Sequence, residues 1–208
     1  MGEAAPRLYL VTPERFEPQD LADLAGRLFA GGQVACMRVA LGAEAAEEDW
    51  VRAVNHLLPV CHGMEVPLLV TDHHRLVGPF GLDGVHLESA TTPIRKVRAA
   101  LGGERIVGAH GGTGRHRAMT LAEAGADYVS LGPVRAEGAL GDGELAGDDL
   151  FTWWAEMIET PVVAEGGVTV EDAARLCDTA DFVVPDRRIW QAADPVAQLA
   201  DYAAALAD

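Results

Sequence analysis

The chain has 208 residues, of which 16 are Lys or Arg and 32 are Asp or Glu, so its formal net charge at pH 7 is −16. This acidic surplus argues against a nucleic-acid-binding protein, because neutralising phosphates requires a basic face, and against binding to an anionic membrane for the same reason. A few local arginines are still sufficient to hold a small phosphorylated ligand on an acidic protein.

The hydrophobic pattern contains no membrane or secretion segment. No run reaches the roughly 18 apolar residues that would span a bilayer, and the first ten residues lack the apolar stretch of a secretory signal. Three cysteines, Cys36, Cys61 and Cys177, are widely spaced and form no CxxC pattern, which predicts unpaired thiols in a reducing compartment. We therefore predict a cytoplasmic protein.

Short apolar runs alternate with longer segments of helical spacing along the whole chain. The predicted strands are Leu8–Val11, Ala35–Val39, Pro67–Val70, Gly84–Leu87, Ile106–Ala109, Tyr128–Leu131, Val162–Ala164 and Phe182–Val184. The predicted helices follow at 19–31, 44–62, 73–80, 92–101, 115–124, 148–158, 170–178 and 195–207. The last one has Asp194 as its N-cap and Pro195 at its first position. Eight such units in about 200 residues predict an α/β protein, a (β/α)8 TIM barrel forming one domain over 1–208.

An open, doubly wound sheet is the alternative arrangement of alternating strands and helices. A dinucleotide-binding sheet of that kind places a GxGxxG motif after its first strand, and no such motif follows Val11. The strand–helix units also continue evenly to the C-terminus. Both observations favour the closed barrel.

The active site of a (β/α)8 barrel lies at the C-terminal ends of its strands. The predicted strands place the following residues there: Thr12, Arg38, Thr71, Asp72, His86, Glu88, His110, Gly132, Pro133, Arg135, Glu165, Gly166, Gly167, Asp186, Arg187 and Arg188. The loops after the seventh and eighth strands often bind phosphate in this fold. Gly166 and Gly167 let the backbone approach an anion closely, and Arg187 or Arg188 adds charge-assisted hydrogen bonds. We therefore predict a phosphate site here.

The glycine pair and the two arginines also have a purely structural interpretation. Gly166-Gly167 suits a tight turn from strand to helix, and Arg187 and Arg188 suit a solvated face on which they pair with Asp186. At this point both interpretations stay open.

Other candidate residues have structural alternatives as well. Asp72 suits the N-cap of the helix that follows it, and His86 suits a hydrogen-bonded histidine inside the barrel. The loop 134–148 contains four glycines and no helical period, so it is expected to open onto the active-site face, where its glycines permit a lid. Within it, Asp142 and Glu144 are either additional metal ligands or solvated carboxylates.

Several short motifs occur along the chain in a characteristic order and spacing. They are Leu8-Tyr9-Leu10-Val11-Thr12, Asp83-Gly84-Val85-His86-Leu87 with Asp72 eleven residues before it, Val107-Gly108, Gly125-Ala126-Asp127-Tyr128-Val129, Gly132-Pro133-Val134, and Pro161-Val162-Val163-Ala164-Glu165-Gly166-Gly167-Val168. With these motifs the chain resembles the thiamine phosphate synthase and thiazole tautomerase superfamily, as a divergent member. The resemblance covers almost the whole length and implies a (β/α)8 barrel.

The resemblance also implies a reaction and its participants. Members with synthase activity join hydroxymethylpyrimidine diphosphate to thiazole phosphate and release pyrophosphate, with Mg²⁺ holding the diphosphate. The partners implied are therefore small phosphorylated substrates, and a homodimer is an open option. Carried over by position, Arg38 is catalytic, Asp72 is a Mg²⁺ ligand with Glu88 as the nearby second carboxylate, and Thr71 binds substrate.

The chain departs from the family pattern at several positions that meet phosphate or metal. Where the family has Gln-x-Arg-x-Lys, the chain has Cys36-Met37-Arg38-Val39-Ala40; Thr91 replaces an aspartate, His110 replaces a serine, and Glu137, Ala139 and Leu140 replace Thr-x-Thr-Lys. Two lysines are thereby lost, and each charge-assisted bond lost in a dry site costs on the order of 1.5–3 kcal/mol. Arg135, Arg187 and Arg188 are the evident replacements, because arginine also binds phosphate well.

Three hypotheses follow from this mixture of matches and departures. In the first, the chain is a synthase whose arginines replace the missing lysines. In the second, it is a thiazole-phosphate tautomerase or related isomerase that uses His110 as an acid/base group. In the third, it is a non-catalytic barrel that binds a phosphorylated ligand.

Overall fold

The computed structural model describes residues 7–31, 33–89, 92–136 and 143–207. Eight parallel strands close into a barrel in chain order. They are β1 (Arg7–Val11), β2 (Val34–Val39), β3 (Leu68–Thr71), β4 (Gly84–Leu87), β5 (Ile106–Gly112), β6 (Tyr128–Leu131), β7 (Val162–Val168) and β8 (Phe182–Pro185). The (β/α)8 fold predicted from the alternating pattern is therefore confirmed, and the open sheet is excluded.

Helices separate the strands and cover the outside of the barrel. They are α1 (Pro18–Phe29), α2 (Glu47–Gly63), α3 (Val77–Phe80), α4 (Ile94–Leu101), α5 (Arg115–Glu123), α6 (Asp148–Met157), α7 (Val170–Leu176) and α8 (Pro195–Ala205). Two 3₁₀ helices, His74–Leu76 and Arg187–Gln191, precede α3 and α8. Among the described residues, none of these helices has the length and apolar character needed to cross a membrane.

Local sequence explains where the helices begin. Asp194 caps α8 by accepting a hydrogen bond from the Ala197 amide, and Pro195 occupies the first turn as predicted. Thr169 and Asp172 form a capping box at the start of α7. In each case a side-chain oxygen satisfies an amide that the helix leaves without a partner.

The alternation of side chains along each strand divides the buried residues into two layers. One set faces outward and packs against the helices, for example Leu8, Leu10, Val85 and Val107. The other set fills the inside of the barrel and includes Tyr9, Leu69, Tyr128, Val163 and Val184. The inward positions nearer the C-terminal ends of the strands carry polar side chains, and these form the site described below.

Glycine is required on β4 where two strands approach closely. A Cβ built on Gly84 would lie 2.1 Å from the backbone oxygen of Ile106 on β5. We expect Gly84→Ala to lower the free energy of unfolding by about 1–3 kcal/mol or more, because the backbone atoms of Ile106 cannot move aside as a side chain can. Gly103→Ala is the matched control, since a Cβ there meets nothing within 4 Å. Urea denaturation measures both, and equal losses would contradict the steric explanation.

Candidate active site

Five polar side chains from five strands meet inside the barrel. They are Arg38 of β2, His86 of β4, His110 of β5, Ser130 of β6 and Glu165 of β7, and all are buried. Each lies at an inward position of its strand, so the strand alternation aims all five at the barrel axis. Two of them, Arg38 and His110, are the catalytic residues predicted from the sequence.

Glu165 is the centre of this cluster. Its Oε2 accepts a hydrogen bond from Nη2 of Arg38 at 2.8 Å, and its Oε1 lies 3.0 Å from Nδ1 of His110. Ser130 donates its hydroxyl to the same Oε1. Burial alone would raise the pKa of Glu165, but the charge of Arg38 and then the hydrogen bond with His110 bring this pKa well below its ordinary value. Glu165 is therefore an ionised carboxylate with its oxygens paired.

Arg38 is 1% exposed, which is unusual for a guanidinium. In addition to Glu165 it has Glu88 nearby, with Nη2 and Oε1 3.4 Å apart, and its Cζ lies 5.7 Å from the centre of the Tyr9 ring. Burial alone would lower the pKa of Arg38, but Glu165, Tyr9 and Glu88 raise it above its ordinary value. The arginine is thus a permanent cation beneath the barrel mouth.

A second chain of hydrogen bonds runs below this ion pair. Nδ1 of His86 lies 2.8 Å from the Tyr128 hydroxyl, which lies 2.7 Å from the Tyr9 hydroxyl. The sequence-based interpretation of His86 as a hydrogen-bonded histidine inside the barrel is therefore confirmed. Nε2 of His86 has no hydrogen-bond partner and lies 3.8 Å from Oε1 of Glu165. Burial, and then the charge of Arg38, lower the pKa of His86 well below its ordinary value.

The lowered pKa of His86 makes the stability depend on pH. The unfolded chain protonates this histidine near its ordinary pKa of 6.5 while the folded chain does not, so stability is lost as the pH falls below about 6.5. We expect His86→Gln to reduce the decline in free energy of unfolding between about pH 6.5 and 4.5. Urea denaturation at a series of pH values measures this.

The pH dependence of stability that comes from two carboxylates, Glu165 and Glu88, must be separated from the contribution of His86. Glu165, with its lowered pKa, contributes stability that is lost only below its ordinary value of 4.5. Burial raises the pKa of Glu88 even though Arg38 opposes this, so Glu88 acts with the opposite sign above pH 4.5. Both are present in the wild type and in the variant, so the difference between the two proteins reports mainly on His86. Parallel pH curves for the two proteins would contradict a neutral, buried His86.

A cavity of about 400 Å³ lies at the barrel mouth, and Thr71, Asp72, Glu88 and Arg187 are among its lining residues. Asp72 has a φ of 57°, and its Oδ1 accepts hydrogen bonds from the amides of Glu88 and Ser89 at 3.1 and 3.2 Å. The 3₁₀ helix that follows has His73 at its N-cap and no side-chain cap bond. The alternative interpretation of Asp72 as a helix cap is therefore wrong: the side chain instead ties the end of β3 to the loop after β4.

This cavity has the ligand chemistry that a magnesium ion prefers. Oγ1 of Thr71 is buried without a hydrogen-bond partner, and Oε1 of Glu88 has no hydrogen bond and only the ion pair with Arg38 at 3.4 Å. The Asp72 carboxylate lines the same cavity. In the described part of the chain no three His, Cys, Asp or Glu side chains form a metal cluster. Mg²⁺ usually uses one or two carboxylates together with water and substrate phosphates, so Asp72 and Glu88 fit such an ion.

The three other arginines predicted to bind phosphate each lie against a carboxylate. Arg135 binds Asp172 of α7 with Nε 2.5 Å from Oδ2. Arg187 lies 3.3 Å from Glu14, and Nε of Arg188 lies 2.9 Å from Oδ1 of Asp186. The predicted pairing with Asp186 is therefore confirmed for Arg188, whereas Arg187 pairs with the loop after β1.

The glycine pair bends the end of β7. Gly166 and Gly167 have φ values of 89° and 76°, a region that other residues rarely adopt. The pairing register of β7 with β8 shifts between Ala164 and Val168. The Gly166 oxygen accepts hydrogen bonds from the amides of Val134 and Arg135, so this turn also anchors the loop after β6. Phosphate binding by the pair stays a prediction.

Some candidate positions lie outside the described residues. These are Thr91, Glu137, Ala139, Leu140 and Asp142. The lid predicted for the loop 134–148 stays a prediction, because residues 137–142 of this loop lie outside the described part of the chain. Of the two loop carboxylates, Glu144 is described, and it accepts a hydrogen bond from Thr113 at the end of β5.

Comparison with known proteins identifies the family. A model of the thiamine monophosphate synthase family matches residues 8–184. The chain belongs to this family. A thiamine-phosphate synthase from Rhodospirillum centenum is 38% identical over 94% of this chain and 95% of its own, and one from Methylobacillus flagellatus is 32% identical over 90% of this chain and 88% of its own. The resemblance stated from the motifs is thus confirmed.

A solved structure shows the same fold. Thiamine phosphate pyrophosphorylase from Pyrococcus furiosus matches with a TM-score of 0.84 at 20% sequence identity, over 97% of this chain and 95% of that chain. At this level of identity the likeness concerns the barrel rather than the site. It agrees with the family assignment and with the closed order of the strands.

Two residues of the buried cluster have no role in the sequence-based prediction. The sequence predicts Glu165 at the mouth without a role, and Ser130 is not among the predicted site residues. The pattern that could have found them is strand alternation, since Ser130 is two residues after the inward Tyr128 and Glu165 is two after the inward Val163. A polar side chain at an inward barrel position requires a buried partner, and here each is the other's partner.

Proposed function

We propose that the chain catalyses the synthase reaction of its family. This is a transferase step of thiamine biosynthesis that joins hydroxymethylpyrimidine diphosphate to thiazole phosphate and releases pyrophosphate. The observation that carries the proposal is the 38% identity to a thiamine-phosphate synthase over 94% of the chain. The mouth cavity supports it, because it combines carboxylates for a cation with an arginine for a phosphorylated substrate.

The coupling reaction requires that the negative charge of the leaving group, the diphosphate, be neutralised. The bond between the pyrimidine methylene carbon and the diphosphate oxygen breaks, and the thiazole nitrogen forms the new bond to that carbon. Mg²⁺ neutralises charge on the departing diphosphate when it is bound, and Asp72 and Glu88 would hold it. Arg38 adds a fixed positive charge 3.4 Å from Glu88, and because the arginine is buried its electrostatic effect is stronger than it would be in water.

Arg187 remains usable for phosphate binding although it lies against a carboxylate. A guanidinium has five N–H donors, so a carboxylate on one edge leaves donors on the other. Arg187 lines the mouth cavity while it contacts Glu14, and its remaining donors would meet a phosphate there. Gly166 and Gly167 would hold the thiazole phosphate through the backbone, with Arg135 beside them and Arg188 at the outer edge.

A specific observation favours tautomerase chemistry as the second candidate. His110 lies at the end of β5 with Nδ1 against Glu165, which leaves Nε2 to take a proton from, or return it to, a thiazole phosphate ring. Histidine suits this role because it exchanges protons near neutral pH.

Further features of the molecule in solution are part of the proposal. We place it in the cytoplasm as a single domain over 1–208, and its three cysteines are free thiols. Its partners are small phosphorylated molecules rather than nucleic acid or membranes, and a homodimer is the oligomer we propose to test by sedimentation.

A direct assay separates the hypotheses. Purified protein is incubated with the pyrimidine diphosphate and thiazole phosphate, with Mg²⁺ or with EDTA, and thiamine phosphate is detected by fluorescence after oxidation. Product that depends on Mg²⁺ supports the synthase. Conversion between thiazole phosphate tautomers, followed by proton NMR without coupling, supports the isomerase instead. Binding of thiazole phosphate without either conversion would overturn both enzyme functions and leave the non-catalytic barrel.

A further inference from the structure

One buried carboxylate connects the two residues predicted to be catalytic. Glu165 lies between Arg38 and His110, with one oxygen on each side. It is 2% exposed, so neither substrate nor solvent replaces these bonds at little cost. The orientations of Arg38 and His110 therefore depend on the same side chain.

The hydrogen bond with His110 determines where its ring carries a proton. An ionised carboxylate only accepts hydrogen bonds, and Oε1 of Glu165 lies 3.0 Å from Nδ1 of His110. Nδ1 must therefore carry hydrogen, and in the neutral ring the opposite nitrogen, Nε2, holds the free lone pair. Ser130 is consistent with this assignment, because its hydroxyl donates to Glu165 and its oxygen, 3.1 Å from Nδ1, is a second acceptor.

The ion pair determines how Arg38 lies beneath the mouth. Nη2 bonds to Glu165 at 2.8 Å and lies 3.4 Å from Glu88. Glu88 lines the mouth cavity, so the arginine is held between a fully buried anion and one at the edge of that cavity. Without Glu165, the guanidinium would be free to follow Glu88 toward the cavity.

We propose that Glu165 is a positioning residue that fixes the tautomer of His110 and holds Arg38 beneath the mouth cavity. Its effect on turnover rests on the function proposed above, whereas its effect on the tautomer does not. A merely structural role for this ion pair would affect stability and leave both the His110 tautomer and the kinetics of the folded enzyme unchanged.

The decisive variant is Glu165→Gln, because an amide has one accepting and one donating end. Arg38 has only donors, so it takes the amide oxygen, and the NH2 group then faces His110 and Ser130. This donor replaces the oxygen that lies 3.0 Å from Nδ1 of His110, closer than the Ser130 oxygen at 3.1 Å, so Nδ1 is expected to accept from it and the proton to move to Nε2. We therefore expect His110 to change from the Nδ1–H to the Nε2–H tautomer, together with a loss of about 100-fold in kcat/KM.

The tautomer is read from the ring-nitrogen chemical shifts of ¹⁵N-histidine-labelled protein, with His110 assigned from the spectrum of His110→Gln. Asp149→Asn is the matched control, since Asp149 pairs with Arg115 on the outside of the barrel, and it should change neither tautomer nor kinetics. Glu88→Gln is a second control for the tautomer alone, because it removes the other carboxylate near Arg38 and leaves the His110 bond intact.

Each outcome has a defined meaning. An Nε2–H tautomer in the wild type, or an unchanged tautomer and unchanged kcat and KM in Glu165→Gln, would overturn the proposal. If Glu165→Gln does not fold, the wild-type tautomer still tests the first half, and Glu165→Asp tests the second, since its shorter carboxylate should lower kcat. A wild type with the Nδ1–H tautomer and no turnover in either assay would refute the proposed function but not the positioning of His110.

Discussion

Replacing Arg38 by methionine is expected to lower the free energy of unfolding by about 3–5 kcal/mol, because it leaves a buried carboxylate without its cation. Glu165 is 2% exposed and its charge faces Arg38 at 2.8 Å. His110 and Ser130 would still donate hydrogen bonds to it, but neither supplies a permanent positive charge. Methionine fills a similar volume with a flexible apolar chain, so the loss reports mainly on charge. Urea denaturation at pH 7 measures it.

A double variant separates the two causes of the stability loss, the unpaired charge of Glu165 and the lost packing of Arg38. Adding Glu165→Gln to Arg38→Met removes the unpaired carboxylate while keeping an acceptor at that position. We expect the double variant to recover at least half of the stability that Arg38→Met loses, since the two residues are in direct contact and their effects are not additive. A double variant as unstable as Arg38→Met would show that the guanidinium matters through packing instead. Coupling activity should be lost in both proteins.

Replacing Asp72 by asparagine is expected to have the largest effect on magnesium-dependent coupling. The asparagine keeps an acceptor for the amides of Glu88 and Ser89, and it tolerates the φ of 57°. Only the negative charge is lost. Because the loss of groups that merely support a metal ligand costs 10–100-fold, we expect at least about a 100-fold decrease in kcat/KM at fixed Mg²⁺.

Direct binding completes this test. Calorimetric titration of Mg²⁺ in the presence of inorganic pyrophosphate should show a matching loss of affinity in Asp72→Asn. Asp201→Asn, an exposed change on α8, is the control for the general effect of removing one negative charge. Equal Mg²⁺ binding by Asp72→Asn and the wild type would remove Asp72 from the metal site.

The strands and helices could be predicted because their signals are local. A continuous apolar run such as Leu8–Val11 in β1 is what a strand buried on both faces requires. The Asp194-Pro195 pair marks the start of α8 through capping chemistry within a few residues. Even the inward direction of Arg38 and His110 follows from alternation along a single strand.

The partners of the charged residues could not be predicted in this way. Arg38 and Glu165 are 127 positions apart, and Arg187 and Glu14 are 173 apart. The sequence predicts phosphate binding by Arg135 and Arg187 from their positions after predicted strands, where they would replace the missing lysines. It does not show that acidic residues from other elements, Asp172 and Glu14, reach them. Asp72 likewise suited a helix cap until the loop after β4 supplied its two amides.

The sequence by itself determined an acidic (β/α)8 barrel of the thiamine monophosphate synthase family, with Arg38, Asp72 and His110 at its mouth. Only the tertiary structure decided that Glu165 joins Arg38 to His110, that Arg135 pairs with Asp172 and that Arg187 pairs with Glu14. The physical reason is the range of the interactions. Periodicity and capping act between neighbours in the chain, whereas hydrogen bonds and ion pairs act over about 3–4 Å in space, between residues that meet only when the barrel closes.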